Sequence, residues 1–218
     1  MFESQTFSVI REGLRLEKVA GGRKETELMR FRHRVFREQL RWLAESTDGL
    51  DRDDYDPFSD NFAVLDKNMV VGSVRLTPGQ CPFMIEREFS ALLPDGWTLH
   101  KGQGSAEITR MAVEMKGQRA RSDSASHLLY FMLYQWALHH GVRWMYFVVE
   151  PPFFRHICRL GFPAFAIGPA RPLDGGVMSQ AAYLDWDKAD PAFIRWLRAG
   201  VSIPAAVPAQ SREFDYLH

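Results

Sequence analysis

No stretch of this 218-residue chain holds the roughly 20 consecutive apolar residues that a membrane-crossing helix needs, so no membrane span is expected. Cysteine is equally scarce. The two that occur, Cys81 and Cys158, belong to no C-x-x-C motif and could close one bridge at most; this excludes a disulfide framework, and both are read as reduced thiols. The first residues, MFESQTFSVIREG, carry an acidic side chain and no sustained apolar core, so they do not read as a secretory signal and a cytoplasmic location is expected. An excess of charge is missing too. Lys plus Arg equals Asp plus Glu at 27 each, which removes the global field that draws proteins to nucleic acid. Seven dispersed histidines include no H-E-x-x-H pair, and no metal is expected. The loop from Asp51 has no glycine at its sixth position and Phe62 at its twelfth, so it is not a calcium-binding EF-hand. No G-x-S-x-G elbow occurs and no Ser or Cys has a convincing base, so group transfer without a covalent enzyme intermediate is expected.

The hydrophobic content of 46% and charged content of 25% suit one globular domain, read as residues 1–200, followed by a Pro- and Ala-rich tail over 201–218. A strand at Leu14 to Ala20 leads through Gly21 and Gly22 into a helix over Glu25 to Leu40, marked by the stripe Leu28, Phe31, Val35 and Gln39 or Leu40. Phe62 to Asp66 and Val70 to Thr77 form a hairpin about Lys67, Asn68 and Met69. A loop with a short helix runs to Leu93, and Glu107 to Glu114 is a strand. An apolar helix from Ser124 to His140 stops at Gly141. Arg143 to Glu150 is a buried strand, Pro152 to Leu160 a helix ended by Gly161, and Phe162 to Gly168 and Val177 to Trp186 are late strands about Asp174-Gly175-Gly176. This order predicts an α/β, three-layer αβα sandwich with a mixed, largely antiparallel sheet.

Charge is uneven along the chain even though it balances overall. Six aspartates lie between Asp48 and Asp60, and Arg30, Arg32, Arg34, Arg37 and Arg41 precede them. Taken singly, such groups are solvated faces or helix salt bridges. Three stretches are more specific. Arg32, Phe36 and Trp42 fit R-x-x-x-F-x-x-x-x-x-W and are followed by Asp53, Tyr55, Asp56 and Asn61 as D-x-Y-D and an asparagine. Gly72-Ser73-Val74-Arg75-Leu76 precedes Pro82, Met84 and Phe89, and Glu107-Ile108-Thr109-Arg110-Met111 fits E-x-[ST]-R-[FM]. Together these stretches, a little over a third of the chain, resemble the N-acyl-homoserine-lactone synthase (autoinducer synthase) family, and the fold resembles that of the GCN5-type acetyltransferases.

The resemblance implies an acyltransferase that moves an acyl chain from acyl carrier protein to the amine of S-adenosylmethionine, then closes the lactone and releases methylthioadenosine for quorum sensing. S-adenosylmethionine is then a substrate, and no cofactor is implied. Phe36 and Trp42 would help enclose it, while Arg32, Asp53, Asp56, Arg75 and Arg110 would form a charged network; for Arg75 a purely structural role is equally consistent. Phe89, Thr109, Phe147 and Val149 complete the expected substrate site, with Phe131, Met132, Met145 and Phe153 as further lining candidates. The chemistry agrees with these residue types. A sulfonium, an amine and a carboxylate call for carboxylates, cations and aromatic faces together, and an ammonium must lose a proton before it attacks a thioester. Glu107, with Arg110 beside it, is the candidate base, acting directly or through a water.

Side chains alternate on a regular strand, so Glu107 and Arg110, three apart, can share a site only if a β-bulge lies between Glu107 and about Val113. Gln118-Arg119-Ala120-Arg121-Ser122-Asp123 lacks the inner glycines with which related acetyltransferases cradle pyrophosphate. That favours a carrier protein over the other donor, acyl-coenzyme A. Arg155 and Arg159, one helical turn apart, are the candidate carrier-docking residues, with a solvated helix face equally consistent. Where many family members have V-V-[ST]-x-x-M-E-R, this chain has Val148-Val149-Glu150-Pro151-Pro152-Phe153-Phe154-Arg155. The alternative reading is a related acyltransferase that makes N-acyl amino acids or is associated with bacterial protein-sorting loci; the V-E-P and I-G-P tripeptides at Val149 and Ile167 resemble the latter group.

Overall fold

A computed structural model describes residues 8–114, 117–173 and 176–203. Strand β1 (Ser8–Arg11) turns through Glu12-Gly13 into β2 (Leu14–Val19), and helix α1 (Gly22–His33) follows. β3 (Asp60–Asp66) and β4 (Met69–Pro78) form the expected hairpin. After the short helix α2 (Met84–Arg87) come β5 (Ser105–Val113), α3 (Arg119–His140), β6 (Trp144–Val149) and α4 (Pro151–Leu160). β7 (Ala164–Ala166), β8 (Arg171–Pro172), β9 (Met178–Asp185) and α5 (Pro191–Arg198) complete the chain. The strands lie in the order β1-β2-β3-β4-β5-β6-β9-β7, with β8 on the leading end of β9; all neighbours are antiparallel except β5 and β6, which are parallel. The sheet is therefore mixed and largely antiparallel.

Alternation along β3 shows how the layers form. Phe62 and Val64 pack with Leu14, Leu16, Leu76, Ala106 and the α3 side chains, while Ala63 and Leu65 pack with Val19 and Leu28 of α1 on the other face. α3 is buried on most sides, with Leu128, Leu129, Phe131, Met132, Leu133 and Trp136 all in the core, because it lies between the sheet and α5. It ends where Gly141 takes φ 64°, a left-handed conformation that lets the backbone turn without a Cβ clash.

Several local expectations shift. The first helix starts at Gly22, and its last turn, Arg34–Gln39, widens into a π-helix, shown by the Leu40 amide donating to the Val35 carbonyl. α3 starts five residues before Ser124, at Arg119. β1 and α5 were not read from the sequence; both are short, and α5 owes its place to Phe193 and Leu197 packing in the core. Ser202 still pairs with Ile10, and residues 204–218, most of the expected tail, lie outside the described residues, as do Asp174 and Gly175 of the expected turn.

Candidate active site

The register between β4 and β5 slips at one point. Ser73 faces Ala112 and Arg75 faces Thr109, so Arg110 and Met111 both oppose Val74: a β-bulge inside the expected span. Arg110 takes φ 52°, an uncommon conformation for a residue with a side chain, and the Ser73 hydroxyl holds the bulged carbonyl by donating to Arg110 O at 2.6 Å. The bulge puts Arg110 on the same side of the sheet as Glu107. Met84 of α2 shows this: its amide donates to Glu107, and its sulfur lies 3.9 Å from Arg110 Nη1.

The bulge also parts the central strands. β5 pairs with β6 only from Ser105 to Glu107, while β6 stays with β9 as far as Val149. A cleft of about 240 Å³ opens between them, walled by Ile108 to Met111 of β5 and by Phe147 to Glu150 at the end of β6. Tyr130 and Leu133 of α3, Phe153 and Ile157 of α4, and Phe162 and Leu184 form its apolar depth. Phe36, Leu40 and Trp42, from the widened helix turn and the residues after it, close one side. Phe36 is buried, Trp42 is 42% exposed, and their rings lie 6.0 Å apart.

Beside the cleft, four guanidiniums meet three carboxylates. Asp51, which is completely buried, accepts from Arg32 Nε at 2.8 Å and Arg110 Nε at 2.7 Å on one oxygen, and from Arg37 Nε at 2.8 Å on the other. Asp53 accepts from Arg75 and, at 2.9 Å, from Arg110 Nη2. Asp56 takes a forked pair from Arg32, Nη1 at 2.7 Å and Nη2 at 3.2 Å. Arg75 spends its remaining nitrogens on Thr109 Oγ1 at 2.8 Å and the Met84 sulfur at 3.1 Å. Burial alone would raise the Asp51 carboxyl, but Arg110 and Arg32 overcome it and hold the group well below the usual carboxylate range. For Arg110, burial outweighs the help from Asp51 and lowers the guanidinium from its ordinary value. Such desolvated charges persist only when paired this closely. The cluster ties the end of the first helix and the aspartate loop to β4 and β5.

The expected site residues therefore divide. Phe36, Trp42, Thr109, Arg110, Phe147 and Val149 line the cleft. Arg32, Asp53, Asp56 and Arg75 sit in the cluster, which Arg110 joins to the cleft through its place 5.6 Å over the Phe36 ring. Phe89 packs instead beside Phe83 and Ile85 under α2. Arg155 and Arg159 lie on the exposed side of α4, whose other side supplies Phe153 and Ile157 to the cleft. Phe131, Met132 and Met145 belong to the core, and Tyr130 and Leu133 take the wall; an all-round apolar helix gives no phase from which to read this. Asp51 and Arg37 went unread because nothing local separates Asp51 from its five neighbouring aspartates.

Glu107 is 1% exposed and off the cleft wall. Its two oxygens accept the Met84 and Ile85 amides, each at 2.7 Å, leaving lone pairs on both. Burial pushes its carboxyl up to about 7 despite those amides and the nearby Arg75. Thr109, two residues on and on the same face, does border the cleft.

A sheet whose central parallel pair splays around a largely apolar cleft has the acetyltransferase-like fold. The family model for autoinducer synthases matches residues 18–193, and the chain belongs to that family. An acyl-homoserine-lactone synthase of Agrobacterium fabrum (strain C58) is 30% identical over 169 residues, covering 75% of this chain and 79% of the relative. The structure of TofI in a ternary complex with an inhibitor and MTA has a TM-score of 0.67 at 26% identity, covering 87% of this chain and 99% of TofI. BjaI, a CoA-dependent acyl-homoserine lactone synthase solved with SAM and isopentyl-CoA, shares the fold at TM-score 0.67 and 23% identity, covering 84% of this chain and 83% of BjaI.

Proposed function

We propose that this acyltransferase makes an N-acyl-homoserine lactone from S-adenosylmethionine and an acyl thioester carried by acyl carrier protein. The observation that carries the reading is the cleft between β5 and β6, apolar along most of its length and bordered at one end by Thr109, Arg110 and the Phe36–Trp42 pair. An acyl chain fits the apolar part, and the aromatic faces beside a charged cluster suit a sulfonium and its amino acid end. Held together, the amine attacks the thioester carbonyl, the carbon–sulfur bond breaks and the carrier's thiol leaves; the methionyl carboxylate then displaces methylthioadenosine from its own γ-carbon, an intramolecular step favoured by proximity.

Glu107 is the proton acceptor in this scheme. A carboxyl near 7 is half ionised at neutral pH, and Thr109, on the same face and bordering the cleft, marks where a water would relay the proton from the amine. The carrier-protein donor is favoured by the exposed Arg155 and Arg159 on the helix that walls the cleft. Arg121, at the start of α3, is held 2.7 Å from Asp66 and so is drawn away from a pyrophosphate. The test is direct: purified protein with S-adenosylmethionine and acyl carrier thioesters should release lactone and methylthioadenosine in equal amounts. Thiol release without methylthioadenosine, when amino acids replace S-adenosylmethionine, would overturn the reading.

A further inference from the structure

We propose that Lys101 and Glu86, both outside the cleft, are positioning residues that clamp α2 so that its first amides stay on the Glu107 carboxylate. The inference rests on Glu107 being the proton acceptor. α2 spans four residues, and a helix this short does not hold its own shape in water, so its place depends on what ties it down. Lys101 supplies three ties. Its ammonium donates to the Cys81 carbonyl at 2.7 Å and to Glu86 Oε2 at 2.8 Å, and it lies 3.3 Å from the centre of the Phe83 ring. The same Glu86 oxygen accepts from the Phe83 amide at 3.1 Å. Lys101 and Glu86 thus grip the chain on both sides of Pro82, just ahead of Met84 and Ile85, whose amides donate to Glu107. Phe83 is completely buried, with its ring 6.1 Å from that of Tyr146 on β6, so the grip is anchored to the sheet.

A partly exposed ion pair such as Lys101–Glu86 adds little to stability by itself, and its effect here is on geometry. Two amides held at 2.7 Å favour the ionised carboxylate against burial, so any drift of α2 leaves Glu107 protonated to a higher pH. Arg75 from β4, Tyr55 from the aspartate loop, Tyr146 opposite on β6 and Arg110 farther along β5 also face Glu107. Lys101 favours the carboxylate through its charge as well, so a field effect and a clamp predict the same outcome when Lys101 is replaced. They part at Glu86. Loss of that negative charge eases ionisation of Glu107 if only the field matters, whereas loss of the clamp hinders it.

The experiment follows the Glu107 carboxyl by carbon-13 NMR, its signal assigned by its absence in Glu107→Gln, across a pH titration of wild type, Lys101→Met, Lys101→Arg and Glu86→Ala. The midpoint should rise by about half a pH unit or more in both Lys101→Met and Glu86→Ala, and stay close to the wild-type value in Lys101→Arg. Acylation is the second readout. At pH 7 kcat should fall about twofold in Lys101→Met and Glu86→Ala and recover at higher pH, because only the ionised fraction has changed. A midpoint unmoved in Lys101→Met, or lowered in Glu86→Ala, would overturn the clamp. A midpoint that moves while the acylation rate keeps a flat pH profile overturns the reading of Glu107 as proton acceptor instead, since the NMR titration needs no turnover.

Discussion

Replacing Glu107 by Gln tests both its chemistry and its place in the fold. The folded carboxyl is raised from 4.5 to about 7, a difference worth roughly 3 kcal/mol at 1.36 kcal/mol per unit. Because the folded value is the higher one, folding binds a proton between those limits. The stability linked to Glu107 is complete below pH 4.5, declines as the pH rises, and is lost above about 7. Gln has no such dependence, but one of its two polar atoms is an NH₂ facing a backbone amide, which costs roughly 1–3 kcal/mol. Urea unfolding across this range should therefore show wild type more stable than the variant at pH 5, with the two curves converging toward pH 7.5. Activity gives the second readout. Wild-type acylation should rise with pH through an apparent pKa near 7, while Glu107→Gln should run about a hundredfold slower and lose that inflection. A variant that keeps the rate and the pH profile while losing only stability would show that Glu107 anchors the α2 amides and takes no proton.

Four further outcomes follow from the same geometry. Asp51→Asn leaves Arg32 and Arg110 buried without their shared counter-charge and should cost about 3–5 kcal/mol in urea unfolding. In the wild type, the stability that Asp51 and Asp56 add above the usual value of 3.8 should fade as the pH drops through their lower folded values, seen as a loss of unfolding midpoint below about pH 4. Trp42→Ala removes a half-exposed ring and should change stability by less than about 1 kcal/mol while raising KM for S-adenosylmethionine; an unchanged KM removes Trp42 from that site. Arg155→Ala and Arg159→Ala should raise KM for a carrier-bound donor, as added salt does, with little effect on a small thioester; equal losses with both donors would point to a folding defect.

The sequence by itself determined the elements whose signals are local. The short β-rich runs Phe62 to Asp66 and Val70 to Thr77 marked the β3–β4 hairpin, and Gly141 and Gly161 marked the ends of α3 and α4, because composition and terminator are properties of a few adjacent residues. Motif spacing reached further. Glu107 and Arg110 can share a side only through a bulge, and the register slips where that argument required. Tertiary structure alone decided what depends on distant partners. Asp51 became the centre of the cluster through Arg32, 19 residues before it, and Arg110, 59 residues after it, and an aspartate in a run of aspartates carries no mark of such partners. The same holds for α3, where Tyr130 and Leu133 rather than Phe131 and Met132 face the cleft, since the rotation of an apolar helix is set by what packs around it. It holds for Glu107 too: the sequence supplied a carboxylate on a strand, and the approach of α2 turned it onto two amides, since a buried charge settles where donors are closest.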